Sequence, residues 1–261
     1  MPDSKPPIVL IIAGNDPSGG AGLTADQQMV SLLGAHPAPV VSALTVQDTV
    51  NAYRVESIDA GLVREQAEAV LQDLPVAAVK LGLLGGADIG KTVAALLAQH
   101  PELPVVMDPV LVAAGGAALA ESGLLEVYLE ELFPLATVLT PNAPESRTLA
   151  PDATDREARA EALRAAGAEY VLIKGADEAT ADVENVLYGP DGLRDARRWE
   201  RLVGQFHGSG CSLASALATF IAHGLNPREA ATKAQEVTYR ALQSGWIPGK
   251  GQAIPYRLPL P

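Results

Sequence analysis

What most constrains the fold is a rhythm in which short runs rich in Val and Ile alternate with longer stretches whose apolar residues recur at helical spacing. Ile8 to Ile12 opens the series. Val40 to Val46 follows, just after Pro39, and then Val76 to Leu81, Pro104 to Asp108, Thr137 to Thr140 and Tyr170 to Lys174. Such short apolar runs, alternating with helical stretches, predict a mostly parallel sheet with helices above and below. Between the runs, Val63, Ala67, Val70, Leu71 and Leu74 fall on one helical face, and Ile89, Val93, Leu96 and Leu97 repeat the stripe. Glu184 to Trp199, interrupted by Gly189-Pro190-Asp191-Gly192, predicts an antiparallel hairpin. Cys211 to Ala222 is apolar nearly all round and predicts a buried helix, while Pro227 to Ser244 is amphipathic with Pro227 at its start. No repeat or linker divides the chain, so residues 1–261 are expected to form one α/β domain.

Charge narrows the function. The 261 residues carry 19 Lys+Arg against 31 Asp+Glu, a formal net charge of −12 with no basic run, which argues against nucleic-acid or anionic-membrane partners. No stretch approaches the roughly 18 apolar residues a membrane helix needs, and no apolar h-region follows Met1 to Lys5, so a cytoplasmic location is expected. The single cysteine, Cys211, has no internal disulfide partner, in keeping with a reducing compartment. The charges between Glu145 and Arg164 read as a solvated helical face.

Three glycine-rich segments compete for chemistry, because backbone amides approach phosphate oxygens most closely where no Cβ intervenes. Gly14 to Gly22 lies between the first strand and a helix carrying Asp26, a turn that any α/β protein can contain. Gly85 to Thr92 satisfies the G-x-x-x-x-G-K-[ST] pattern of a P-loop, with Asp108 imitating its acidic strand. The apolar stripe already begins at Ile89, however, so Gly90, Lys91 and Thr92 are expected inside a helix rather than around a phosphate. His207-Gly208-Ser209-Gly210-Cys211-Ser212 opens the most apolar helix. Free N–H groups there converge into an anion hole, and the dipole is expected to favour a Cys211 thiolate. Cys211 also fits a small core residue, or the nucleophile of a hydrolase with His207 as base, although no G-x-S-x-G elbow accompanies it.

Taken in order, Asp16-Pro17-Ser18-Gly19-Gly20-Ala21-Gly22, Ala25-Asp26, Thr45-Val46-Gln47-Asp48-Thr49, Lys80-Leu81-Gly82, Asp108-Pro109-Val110, Thr140-Pro141-Asn142-Ala143-Pro144-Glu145, Lys174-Gly175 and His207 to Cys211 resemble the hydroxymethylpyrimidine/phosphomethylpyrimidine kinases of thiamine biosynthesis, members of the ribokinase-like superfamily. The similarity runs from about Ile8 to Leu258. It implies a three-layer α/β/α fold, a homodimer, and ATP-dependent phosphorylation of 4-amino-5-hydroxymethyl-2-methylpyrimidine or its monophosphate. It also makes the P-loop match an accident, since this family carries none.

The resemblance assigns roles. The amides of Gly208, Ser209, Gly210 and Cys211 would stabilise charge on the transferring phosphoryl group, with Cys211 as the base. Asn142 and Glu145 match the family's Asn-x-x-Glu, which helps hold Mg2+, and they equally fit an N-cap with its capping-box glutamate. Asp108 is a second magnesium neighbour, while Lys174 and Thr140 join Asn142 around the nucleotide phosphates. Gln47, Gly14, Asp26 and Thr45 surround the pyrimidine, with the Gln47 amide offering both donor and acceptor to the ring edge.

The chain also departs from its relatives. Leu83 stands for a frequent methionine, Ala114 for a lysine, Ala176-Asp177 for Gly-His after the Lys-Gly pair, and Gln205-Phe206 for a more polar pair. Two alternatives remain: a pyridoxal-type vitamin kinase of the same fold, and a non-catalytic pyrimidine- or nucleotide-binding protein.

Overall fold

The computed structural model describes residues 5–111 and 123–258, so Ala114 lies outside the described residues. Among these residues nine strands form one sheet: β1 (Ile8–Asn15), β2 (His36–Gln47), β3 (Ala52–Ser57), β4 (Val76–Leu81), β5 (Val105–Met107), β6 (Val138–Leu139), β7 (Tyr170–Ile173), β8 (Asp182–Tyr188) and β9 (Arg194–Glu200). Their spatial order is β3-β2-β1-β4-β5-β6-β7-β8-β9. The strands from β2 to β7 pair in parallel, while β3 at one edge and the β8–β9 hairpin at the other are antiparallel. The predicted hairpin therefore extends the main sheet.

Among the described residues eight α-helices cover the sheet: α1 (Gly22–Leu32), α2 (Ala60–Asp73), α3 (Ala87–Leu97), α4 (Leu124–Val127), α5 (Ala143–Leu149), α6 (Arg156–Ala165), α7 (Ser209–Ala222) and α8 (Pro227–Gln243). Strand β1 shows why its run is apolar throughout. Leu10 and Ile12 join a core with Val63, Val93, Leu124, Leu149 and Leu163 from α2 to α6. Val9, Ile11 and Ala13 join the opposite core with Met29, Leu217 and Ala234 from α1, α7 and α8. The result is the expected three-layer architecture.

Two departures have physical causes. Strand β2 starts four residues before the apolar run and passes through Pro37 and Pro39. That half pairs only with β1, and β3 joins from Ala43 onward. The N–H of His36 points to Pro7 on the β1 side, whereas that of Val41 points away, to Gln66. Pro37 and Pro39 share the direction of Val41, so their missing donors face an open edge. Strand β3 has no apolar run because Tyr53, Arg54 and Glu56 are exposed on the edge.

The P-loop match is resolved by packing. Gly90 is buried inside α3, and a side chain there would come within 2.9 Å of Leu124 Cδ1 and of Val127 Cγ1. This glycine lets α4 lie against α3, and Lys91 is exposed on the outer face. Strand order reverses on the two sides of β1, and in open α/β sheets ligands bind at such a switch point, beyond the carboxyl ends of the strands.

Candidate active site

A cleft of about 790 Å³ opens at that place. Its lining comes from residues just beyond five strands: Asp16 after β1, Leu83 after β4, Asp108 after β5, Asn142 after β6 and Lys174 after β7. Gly208, Ser209, Gly210 and Cys211, at the start of α7, complete one wall. On β2, Thr45 and Gln47 face the cleft with Gly14, while Leu44 and Val46, which alternate with them, point outward and are exposed.

Gly208 is the N-cap of α7 and has φ +80°, in the left-handed region; any side chain there would strike the carbonyl of Gly20. That close approach docks the Gly14–Gly22 segment against the helix start, so two of the three glycine segments build one structure. Helix α7 begins at Ser209, two residues earlier than its apolar pattern, which places the amides of Ser209, Gly210 and Cys211 among its unsatisfied first-turn donors. A Cβ on Gly210 would stand 3.1 Å from Lys174 Nζ and 3.4 Å from Asp108 Oδ2, which locates those groups against the same turn.

Lys174 and Asp108 form an ion pair at 2.7 Å. Burial lowers the Lys174 ammonium, but Asp108 and Glu145 outweigh this and hold it above its ordinary range. Thr140 is fully buried behind them and donates to Asp108 Oδ1 at 3.2 Å, so it orients the carboxylate and does not line the cleft. Asn142 and Glu145 make both bonds of a capping box, each 2.7 Å, and both side chains also border the cleft. Burial, with Asp108 nearby, pushes the Glu145 carboxyl up to about 7 against the pull of Lys174. Glu145 is thus no part of a solvated face.

Asp26 is placed differently from the expectation. It is fully buried, accepts from Lys80 Nζ and from Ser215 Oγ at 2.7 Å each, and is absent from the cleft lining, where Lys80 appears instead. Burial alone would lower the Lys80 ammonium, but Asp26 keeps it charged under the floor of the site.

The Cys211 thiol also differs. Burial pushes it up to about 11; Lys80 pulls it down, while Asp26 and Asp108 push it further. The helix start does not offset the cost of placing a thiolate beside buried carboxylates, so the expected depression is not found.

Sequence reasoning missed Arg257. It is 2% exposed and donates to Ser212 Oγ at 2.7 Å, to the Gly20 carbonyl at 2.7 Å and to the Gly208 carbonyl at 3.3 Å. Among the described residues it has no carboxylate partner, and its Nη1 is buried without a hydrogen bond. Arg257 clamps the two glycine segments from behind. Arg201, also missed, bonds the carbonyls of Ala176, Glu178 and Thr180 at 2.7–2.8 Å and fixes a loop at the rim.

Comparison with known proteins agrees with this geometry. The sequence profile of the phosphomethylpyrimidine kinase family matches residues 16–256. A hydroxymethylpyrimidine/phosphomethylpyrimidine kinase of Mycobacterium tuberculosis is 37% identical over 260 residues, covering 96% of this chain and 93% of that protein. A thiamine biosynthesis bifunctional protein of Geobacter sulfurreducens is 38% identical over 253 residues, which are 93% of this chain but 50% of its own length. This chain thus spans about half of that relative and nearly all of the other. Among solved structures, the pyridoxal kinase of Staphylococcus aureus in complex with AMP-PCP and pyridoxal superposes with a TM-score of 0.88 at 26% identity, covering 97% of this chain and 94% of that one. The match spans the cleft from Asp16 to Arg257's neighbour Tyr256, and on that ground the chain belongs to the phosphomethylpyrimidine kinase family.

Proposed function

We propose that the cleft transfers the γ-phosphoryl group of ATP to the hydroxymethyl oxygen of 4-amino-5-hydroxymethyl-2-methylpyrimidine, or to the phosphate of its monophosphate. The observation that carries this is the convergence, in one cleft, of the α7 amides and the Lys174–Asp108 pair with the side-chain amide of Gln47. Most of the work of phosphoryl transfer is positioning and charge stabilisation. The amides of Ser209, Gly210 and Cys211 donate to the oxygens on which charge develops, and Gly208 sets their direction. Lys174, oriented by Asp108, supplies a positive charge beside the same turn, and Asn142 borders the phosphate path. In its thiolate form, which the Lys80 charge below it favours, Cys211 accepts the proton of the attacking hydroxyl.

Mg2+ fits this donor set. Among the described residues no group of three or more His, Cys, Asp or Glu side chains forms a metal cage. The Asp108 charge helps burial raise the proton affinity of the Glu145 carboxyl, and one or two carboxylates plus substrate phosphates are the usual magnesium environment. These two residues would hold the ion, which neutralises phosphate charge when bound. The homodimer and the cytoplasmic location implied by the resemblance belong to the same proposal; no helix among the described residues is long and apolar enough to cross a membrane.

The test is ADP release, coupled to a spectrophotometric readout, with the pyrimidine alcohol, its monophosphate and pyridoxal in parallel. The aminopyrimidine is expected to exceed pyridoxal in kcat/KM by at least about tenfold, because a mismatched ring leaves buried donors and acceptors unpaired. Equal use would favour the broad vitamin kinase to which the S. aureus likeness points. ATP and pyrimidine binding without turnover would make the protein a non-catalytic binder.

A further inference from the structure

Behind Gln47 stands a chain of two polar residues that the reaction itself does not use. Asp16 is 4% exposed and accepts four hydrogen bonds: Ser18 N–H on Oδ1 at 2.8 Å, and on Oδ2 the Ser18 hydroxyl at 2.9 Å, Ala21 N–H at 2.9 Å and His207 Nε2 at 2.7 Å. A carboxyl surrounded by donors alone is the ionised form, which only accepts. Burial works against that charge, yet the bonds from His207 and Ser18 outweigh it and hold Asp16 below its ordinary range. His207 must therefore carry its hydrogen on Nε2 and give it to Asp16, as both the Nε2–H tautomer and the imidazolium do.

The same Nε2 lies 3.0 Å from the terminal amide of Gln47. An imidazole nitrogen that bears its hydrogen has no lone pair in the ring plane, so it cannot accept from an amide NH2. With Gln47 Nε2 toward the ring, two donors would face each other. Amide nitrogen and oxygen have the same shape and exchange by a half-turn, and the hydrogen-bond network decides between them. The ring has no freedom to evade the conflict: its backbone N–H is held by the Ala253 carbonyl at 2.8 Å, and its edge packs on Gly20 so tightly that a side chain there would strike it.

We propose that Asp16 and His207 are positioning residues that turn the Gln47 oxygen toward the imidazole and its NH2 into the cleft, so that the pocket selects rings carrying an acceptor nitrogen. This rests on the functional reading above and sharpens it. The single Nε2 hydrogen of His207 is shared between Asp16, at 2.7 Å, and the Gln47 oxygen, so the ring nitrogen of the aminopyrimidine is the principal contact, met by a donated N–H. The exocyclic amine meets only what remains of the oxygen.

The order of two losses tests this with the unmodified enzyme. Three alcohols are compared in kcat/KM: the aminopyrimidine, an analogue whose ring nitrogen beside the amine is CH, and an analogue whose amine is replaced by hydrogen. The CH analogue is expected to lose about tenfold to a hundredfold, as for a buried donor left without its acceptor, and the amine-less analogue distinctly less. His207→Phe, which has no donor, should narrow the gap between the analogues and raise KM for the parent alcohol, with KM for ATP unchanged within about twofold. Its effect should fail to add to that of Gln47→Leu, since both act through one contact. His207→Gln, which keeps an N–H, should restore part of the discrimination. A larger loss for the amine-less analogue in the unmodified enzyme overturns the assignment, and that comparison decides alone where His207→Phe does not fold. Additive effects of His207→Phe and Gln47→Leu overturn it as well. No turnover of the parent alcohol would overturn the functional reading and this substrate edge with it, whereas turnover with the reversed order would overturn the positioning alone.

Discussion

Asp26→Asn should damage the protein through stability before it touches the chemistry. The carboxylate and the Lys80 ammonium are both fully buried and 2.7 Å apart, with Ser215 Oγ as the only further hydrogen-bond partner of Asp26 among the described residues. The substitution places an amide against an ammonium and leaves that charge uncompensated, a change that costs about 3–5 kcal/mol in a buried pair. Against a total stability of about 5–15 kcal/mol this is severe, and at roughly 2–4 °C per kcal/mol for a chain of this size it lowers Tm by about 6–20 °C. Lys80→Met should be milder at low pH, where the stranded Asp26 takes up a proton, and harsher as pH rises. The double variant should recover at least about 2 kcal/mol of the summed losses, because no charge then remains. Urea unfolding followed by tryptophan fluorescence measures all four proteins, since the Trp199 ring packs tilted against Tyr239 with centroids 4.9 Å apart and reports the packed state. A loss below about 1 kcal/mol in Asp26→Asn, adding simply to that of Lys80→Met, would refute the argument. So would an unchanged Tm with a hundredfold rise in KM for the pyrimidine, which would return Asp26 to the substrate.

With its thiol near 11, Cys211 is thiolate in only about one molecule in ten thousand at pH 7. As the base it should therefore give a kcat/KM that climbs about tenfold per pH unit towards 11, with Cys211→Ala flattening the profile; a flat profile in the unmodified enzyme removes the assignment. Glu145 near 7 keeps a proton that the unfolded chain releases near 4.3, so its contribution is intact below about 4.3 and is lost as pH rises through 7. Glu145→Gln should accordingly stabilise the metal-free protein at pH 8, by up to about 3 kcal/mol, and change little at pH 4, as read by Tm in the two buffers. Arg257→Met should loosen both glycine segments and lower kcat by about tenfold, less than the loss of a direct oxyanion donor, with Arg257→Lys intermediate; unchanged kcat would show that the clamp is dispensable.

Much of this architecture was legible because burial on both faces writes itself into composition: β1, β4 and α7 carry their environment in their residue types. Edge strand β3 does not, since Arg54 and Glu56 face water and leave no apolar pattern. The cleft residues at strand ends were found by motif, and Gln47, Cys211, Asp108, Glu145 and Lys174 do meet around one cleft. Asp26 was set beside the pyrimidine by the family resemblance, and its buried pairing left no local signal, because the lysine that claims it lies 54 residues away. Arg257 gave no signal at all, for its partners are two backbone carbonyls and a hydroxyl, and carbonyls are present at every position. The thiol was misjudged for a related reason: a helix start is visible locally, whereas the desolvation and the two acidic neighbours that outweigh it come from α1, β5 and the sheet floor.

The clamp made by Arg257 also sets an order of events in time. Its guanidinium grips a carbonyl, that of Gly20, made 237 residues earlier. At translation rates of about 5–20 residues per second, roughly 12 to 47 seconds pass between the synthesis of the two. Throughout that interval the nascent chain holds its first glycine segment without the cation that closes it onto the second. The contact that draws the two glycine segments together is thus among the last to form as the chain is made.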